Sequence, residues 1–281
     1  MTPRMHTWTH PVSPAGARAA APDRSLRRRG RGSRSAAGSG LARTAALVVA
    51  ATVLPATAAA QIGGYVSFNG GTQATSTSFD DNVVFPEFRE DADFDAAYGV
   101  GTGTVFDGGG GVRLANGLGF GLGVSRFNKI DPVSIDARVP HPFFFDRPRS
   151  LSGSRPDLTR QETAVHVEVR WFAPVSDAME LSVFGGPTFF NLQQDLVTSI
   201  AYDHSYPYDE ASFGSASTTA LSASAVGFHA GADIGFFFSE AVGVGALLRY
   251  SAASIDLPSD DGAVPVDAGG FHVGGGLRLR F

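Results

Sequence analysis

From about residue 62 onward, apolar side chains recur at every second position in run after run. A period of two is that of a β-strand whose two faces meet different surroundings. In the last run Phe271, Val273, Leu277, Leu279 and Phe281 share one face, with His272, Gly274, Gly276, Arg278 and Arg280 on the other. Val165, Val167, Val169 and Trp171 oppose Ala164, His166, Glu168 and Arg170. Val226, Phe228, Ile234, Phe236 and Phe238 oppose Gly227, His229, Gly231, Asp233 and Gly235, and Leu118, Phe120, Leu122 and Val124 oppose three glycines and Ser125. Helical periodicity is poor, and no apolar stretch approaches the roughly 20 residues that a membrane helix needs.

Eight such runs lie near 62–74, 98–115, 118–129, 161–173, 179–194, 217–238, 241–256 and 267–281. Short connections sit at Asn116-Gly117, around Pro174 to Ala178 and at Ser239-Glu240; long ones occupy 75–97, 130–160, 195–216 and 257–266. Asn-Gly tolerates positive φ at both positions and predicts a two-residue hairpin turn. Short turns alternating with long loops are the pattern of a membrane barrel. The expected fold is therefore all-β: a closed, antiparallel, up-and-down transmembrane β-barrel of eight strands. Closure follows from physics, because a sheet in lipid must satisfy its backbone groups internally and only a closed barrel has no edges. The apolar face would meet lipid. The glycine-and-charge face would fill a lumen just wide enough for side chains. Charges there must pair to offset desolvation, and Glu168, Arg170, Asp233, Arg249, Arg278 and Arg280 are the candidates for that network.

The N-terminal part is of another kind. Residues 1–43 carry nine arginines against one acid, Asp23; an uncharged apolar run from Thr44 to Leu54 follows, and Pro55 breaks it. Ala58 and Ala60 then supply the small residues of an A-x-A site before Gln61. A basic region, a short apolar run and such a site predict a secretory signal peptide. The chain divides into a leader over 1–60, unusually long and basic, and a barrel domain over 61–281. The barrel domain keeps 13 basic against 26 acidic residues, a formal charge of −13. That excess argues against nucleic acid as a partner. Without cysteine there is no disulfide framework and no thiolate metal site.

Residues 61–281 resemble the small outer-membrane β-barrel proteins, the group that includes the OmpA transmembrane domain and OmpX-like proteins. The resemblance rests on the leader, the eight runs and the last strand. That strand ends with Gly276, Leu277, Leu279 and Phe281 spaced like the family's assembly signal, departing from it at Gly274 where a polar residue is usual. It implies an outer-membrane location in a Gram-negative-type bacterium, with both barrel termini periplasmic. It also implies membrane lipid and the barrel assembly machinery as partners, a monomer, and no cofactor. With that orientation Trp171, Phe172, Phe236, Phe238 and Phe281 fall near the periplasmic boundary, and Phe189 and Tyr250 near the outer one.

Other features invite sharper interpretation. The glycines between Gly99 and Gly111 could suggest a phosphate loop, but such a fingerprint needs a following helix. Asp203-His204, in the third long loop, resembles the acid–base pairs of barrel hydrolases, without a Ser–His spacing to complete it. His166, His229 and His272 all face the lumen, on three strands whose spacing gives no metal signature. The first long loop is acidic, holding Asp80, Asp81, Glu87, Glu90, Asp91, Asp93 and Asp95 against Arg89; it is either a solvated loop or a place for bridging divalent cations. Phe143-Phe144-Phe145 in the second loop is either a contact site or a cluster packed on the rim. The favoured role is a non-enzymatic structural or surface-contact barrel. A narrow pore and a membrane-embedded hydrolase are the alternatives, and a soluble lipocalin-like barrel is the rival fold.

Overall fold

The computed structural model describes residues 62–74, 77–259 and 262–281. The leader and the predicted cleavage site at Ala58, Ala60 and Gln61 lie outside the described residues. The described residues form ten antiparallel strands: β1 Gly63–Ala74, β2 Thr77–Glu87, β3 Glu90–Val100, β4 Gly103–Arg113, β5 Leu118–Val139, β6 Arg149–Pro174, β7 Met179–His204, β8 Ala211–Phe237, β9 Val242–Ser259 and β10 Gly262–Arg280. Eight of them close a ring, β1-β10-β9-β8-β7-β6-β5-β4. The remaining two, β2 and β3, pair with each other, and β3 continues on the upper part of β5. They rise above β1 and β4 as the upper half of the same hairpin.

The predicted strand over 98–115 is thus split between the end of β3 and β4. Three of the long connections also contract, because β5, β6, β7 and β8 run on through most of 130–160 and 195–216. Residues 257–266 are likewise mostly strand, in β9 and β10. The reason lies in the chemistry of the two faces. In β5, odd-numbered residues point inward along the whole strand. In the lower part the outward Phe120, Leu122 and Val124 are exposed, while inward positions carry Gly121, Gly123 and the buried Ser125. Above Ser125 the inward Phe127, Val133, Ile135, Ala137 and Val139 are buried, and the outward positions carry Arg126, Asn128, Ser134, Asp136 and Arg138. Apolar side chains change faces although the strand does not turn over. The same exchange occurs in β7, from outward Val183 and Phe189 to inward Leu192, Leu196 and Val197, and in β9, from outward Leu248 and Tyr250 to inward Ile255 and Leu257.

The barrel is therefore two barrels in series. The lower one has an apolar outside and a polar inside. The upper one has a polar outside and an apolar core, into which β3 contributes Ala92, Phe94, Ala96 and Tyr98. Tyr98 stacks on Phe79 with ring centroids 4.6 Å apart, and its hydroxyl accepts the Val197 N–H at 2.8 Å. At about 3.3 Å per residue and a tilt near 40°, the stretch from Arg126 to Val139 rises roughly 35 Å beyond the apolar belt.

The β4–β5, β6–β7 and β8–β9 turns and both ends of the ring lie at the lower end. The first differs in detail from the predicted two-residue turn. The Gly117 N–H bonds the Leu114 carbonyl at 3.0 Å, so Asn116 and Gly117 are the third and fourth residues of the turn. Gly117 takes φ +79°, which glycine adopts without steric cost. Ring closure falls between β1 and β10, paired from Tyr65↔Arg280 to Ala74↔Phe271. Phe281 ends that seam: its backbone exchanges two hydrogen bonds with Gly64, at 2.6 and 3.0 Å. A Cβ on Gly64 would overlap the Phe281 ring. Removing Phe281, or Phe281→Ala, should lower the amount of folded barrel in the membrane fraction. Heat-modifiable gel migration reads this, and undiminished folded protein would contradict it.

Candidate functional site

The lower lumen is built from inward side chains of all eight ring strands, and its charges are matched. Arg170 donates to Glu168 at 3.1 and 3.3 Å and to Ser182 Oγ at 3.0 Å, while the Tyr65 hydroxyl donates to Glu168 at 2.9 Å. Arg278 makes a two-pronged contact with Asp233, its Nε at 2.9 Å from Oδ1. Arg249 bonds Asp107 at 2.8 Å, and Asn69 holds the other oxygen of that carboxylate at 3.0 Å. Higher up, Arg160 bonds Glu162 at 2.8 Å, with Gln73 at 3.2 Å from the same carboxylate. These arginine–carboxylate contacts combine charge with directional hydrogen bonds. Arg280 stands apart from the predicted network. It lies at the lower rim, donates to the Glu240 carbonyl at 2.7 Å and stacks over the Phe237 ring. Arg113 and Glu180 form a further pair at that rim.

Sequence reasoning missed Asp107, Arg160, Glu162, Tyr65, Asn69 and Gln73. Asp107 borders the glycine run on β4, and its inward parity was the only signal available. The run Gly108–Gly111 faces β1 and β5 as strand and opens no phosphate loop.

The three lumen histidines are buried and bonded. His166 Nε2 lies 2.9 Å from Ser125 Oγ and its Nδ1 3.0 Å from Thr188 Oγ1; Thr188 in turn reaches His229 Nδ1 at 2.8 Å. His272 sits 3.2 Å from Arg249 and 3.4 Å from Ser251 Oγ. Ser125–His166 is a nucleophile–base spacing, but the ring's other nitrogen meets a threonine hydroxyl where a carboxylate would be needed to orient it. Among the described residues no three metal-binding side chains converge. A cavity of about 40 Å³ remains at the lower end, lined by Tyr65, Arg170, Asp233 and Arg278 among others. That volume has room for a few waters.

Away from this lumen, the outer end presents a second constellation. Residues 140–148 join β5 to β6, 205–210 join β7 to β8, and Phe88 and Arg89 turn β2 into β3. Arg149 is buried and ties these together, donating to the Pro140 carbonyl at 2.7 Å, the Tyr208 carbonyl at 3.3 Å and His204 Nδ1 at 3.2 Å. His204 is ringed by Phe88, Tyr202 and Tyr208, and His141 sits buried beneath Phe144 at 4.8 Å. Desolvation and the Arg149 charge hold His204 below its ordinary pKa. Burial, reinforced by Glu87, pushes Tyr202 up to about 12. His204 of the suggested acid–base pair therefore faces an arginine and aromatic rings. On this platform Phe143, Phe144 and Phe145 are 70%, 54% and 69% exposed, and Tyr206 is 85% exposed. The acidic residues of the first loop are spread along the β2–β3 hairpin: Asp93 pairs with Arg138 at 3.1 Å, Asp95 accepts from Asn82, and Glu90 accepts the Asp146 N–H.

The fold and this lumen define a class, the eight-stranded antiparallel barrel with an apolar outer belt and a filled polar interior. No family model and no curated protein sequence matches the chain. Among solved structures it is similar to the outer membrane protein OprG from Pseudomonas aeruginosa, at 10% identity and TM-score 0.42, over 78% of this chain and 95% of that one. It is also similar to Neisserial surface protein A, at 13% identity and TM-score 0.38, over 78% and 97%. A third is the outer membrane protease OmpT from Escherichia coli, at 8% identity and TM-score 0.43, over 80% and 99%.

Proposed function

We propose that this chain is an integral outer-membrane barrel, of the type of the OmpA transmembrane domain and OmpX-like proteins, that makes contacts at the cell surface and is not an enzyme. Both termini would be periplasmic, since the β4–β5, β6–β7 and β8–β9 turns share their end of the ring. Its partners on this reading are outer-membrane lipid, the barrel assembly machinery and whatever the outer tip touches, with divalent cations at the acidic hairpin; it acts as a monomer. The observation that carries the proposal is the aromatic tip. Phe143, Phe144, Phe145 and Tyr206 stand at the far end of the upper barrel, roughly 35 Å above the belt on the same rise and tilt, so the protein's own membrane cannot cover them. Exposed apolar clusters of this kind mark contact sites, and the Arg149 platform holds this one ready. Matched lumen charges and the small lower cavity speak against a pore, and the surroundings of His204 against hydrolysis.

The test is the triple variant Phe143→Ser, Phe144→Ser, Phe145→Ser on cells displaying the protein. Folded yield and heat-modifiable migration should be unchanged, because the three rings contribute little to the core. Adhesion to matrix-coated surfaces should fall to the level of cells lacking the protein. Adhesion equal to that of the parent chain would overturn the surface-contact role.

A further inference from the structure

The ring is not sealed along its full height. The β8–β9 ladder runs from Phe237↔Gly243 to Phe228↔Ala252 and stops there. Above that point, among the described residues, β8 pairs only with β7, up to His204↔Ala211, and β9 only with β10, up to Ser259↔Gly262. The cause is a lean of the β7–β8 hairpin. Two register shifts, at Val197/Ser199 and Ala201/Tyr202, bend it, and the Phe213 ring near its top packs on Gly153 of β6. As β8 tilts toward β6 it parts from β9.

A cavity of about 660 Å³ opens at this parting. Its volume falls within the range of about 300–1,000 Å³ typical of small-molecule sites. Its lower and outer edge is aromatic. Phe228, Tyr250 and Phe271 are the topmost aromatic residues of the belt on β8, β9 and β10, and Tyr250 lies 4.9 Å from Phe271, centroid to centroid. Its middle is lined by small residues, among them Ala252, Ala253 and Ala268. Its polar side chains are those of Thr77, Ser254 and Asp267, the Ser251 hydroxyl being turned to His272 in the lumen. Behind it, Leu221, Ala223, Ala225 and Ala253 are only partly buried and form the side of the upper apolar core.

The cavity thus straddles the level at which the outer face changes from apolar to polar. Strand edges that lack a partner are costly in hydrocarbon. Here they face a space where a ligand's polar atoms could reach them. Among the described residues of the lining, the only ionisable side chain is the exposed carboxylate of Asp267. It repels an anionic head and accepts hydrogen bonds from hydroxyls. We infer that the β8–β9 parting is a binding site for a neutral, hydroxyl-headed amphiphile with a single alkyl chain, entering sideways from the outer leaflet with its chain against the small residues and the edge of the upper core. This rests on the membrane placement proposed above, and not on the aromatic tip.

The experiment uses the full barrel in nanodiscs, with a monoacylglycerol carrying a photoactivatable group on its chain, and maps the attachment points by mass spectrometry. Label is expected to concentrate on 226–228, 250–254 and 267–271, with a fraction on the inward Ala223 and Ala225. Label spread evenly around the belt, as much on β5 and β6 as on β8 to β10, would overturn the site while leaving the membrane reading intact. No label on the belt at all would overturn both. The matching free fatty acid should label the parting less than the monoacylglycerol does, and equal labelling would overturn the choice of a neutral head. Ala253→Trp places an indole in the cavity and should abolish the label there without changing that at Val167 on the opposite wall. If Ala253→Trp fails to fold, Ser254→Trp at the same opening serves instead, and persistence of the label in the folded variant would overturn the site.

Discussion

Asp233→Ala should destabilise the folded barrel by about 3–5 kcal/mol, the usual cost of leaving one partner of a buried ion pair uncompensated. Arg278 has nowhere else to go. Both of its contacts to Asp233 lie in the buried lower lumen, and its remaining bond is to its own neighbour, the Leu277 carbonyl, at 3.0 Å. Urea unfolding of the refolded protein in lipid vesicles measures the loss. The double variant Asp233→Leu, Arg278→Met should recover most of it, because replacing both charges by packed apolar groups is often neutral or stabilising. A single variant as stable as the parent would mean that water reaches Arg278, and that the lumen is wetter than its packing indicates.

Val167→Arg should cost about 2–4 kcal/mol in the same assay, the penalty for arginine at the midplane of a barrel's lipid face. Val167 lies opposite Leu122 of β5, with Val165 and Val169 exposed on the same face, well below the level where the faces exchange chemistry. A labelling series separates facing from stability. In otherwise parental chains Val165→Cys, Val167→Cys and Val169→Cys should react with a lipid-soluble thiol reagent and resist a water-soluble one, whereas His166→Cys and Glu168→Cys should not show that lipid accessibility. The chain contains no cysteine, so the background is clean. Reversed accessibility would mean a register slip of one residue, which turns every side chain to the other face.

How far the sequence could be read depended on whether apolar side chains kept to one face. In the lower barrel they do, so β1, β5 to β10 and their tight turns follow from alternation alone. Near Ser125 in β5 and Phe189 in β7 the apolar set moves to the opposite parity, and a scan for steady alternation sees an interruption that resembles a loop. Residues 130–160 were misread for that reason, although Val133, Ile135 and Ala137 alternate as regularly as Phe120, Leu122 and Val124. The lumen charges were legible as inward residues but not as pairs. Arg249 and Asp107 are 142 positions apart, and Arg278 and Asp233 are 45 apart. Their meeting depends on ring closure and strand register. Nothing local marks Arg149 as the residue that braces the tip, because it joins the start of its own connection, at Pro140, to the β7–β8 end at His204 and Tyr208. The β8–β9 parting could not be foreseen either. It arises from the lean of a hairpin, and the strands on both sides keep an ordinary alternating pattern.

The exchange of faces also fixes how deep the protein sits. One step outward would lift Phe189 and Tyr250 into water, and one step inward would drag Arg126 and Asn191 into hydrocarbon. Each displacement is opposed on every wall at once, so the barrel carries a waterline drawn in its own side chains. Its height is set to within about one strand repeat, roughly 6–7 Å along the chain. A bilayer thinner or thicker than the belt would meet that line by deforming locally or by a tilt of the barrel.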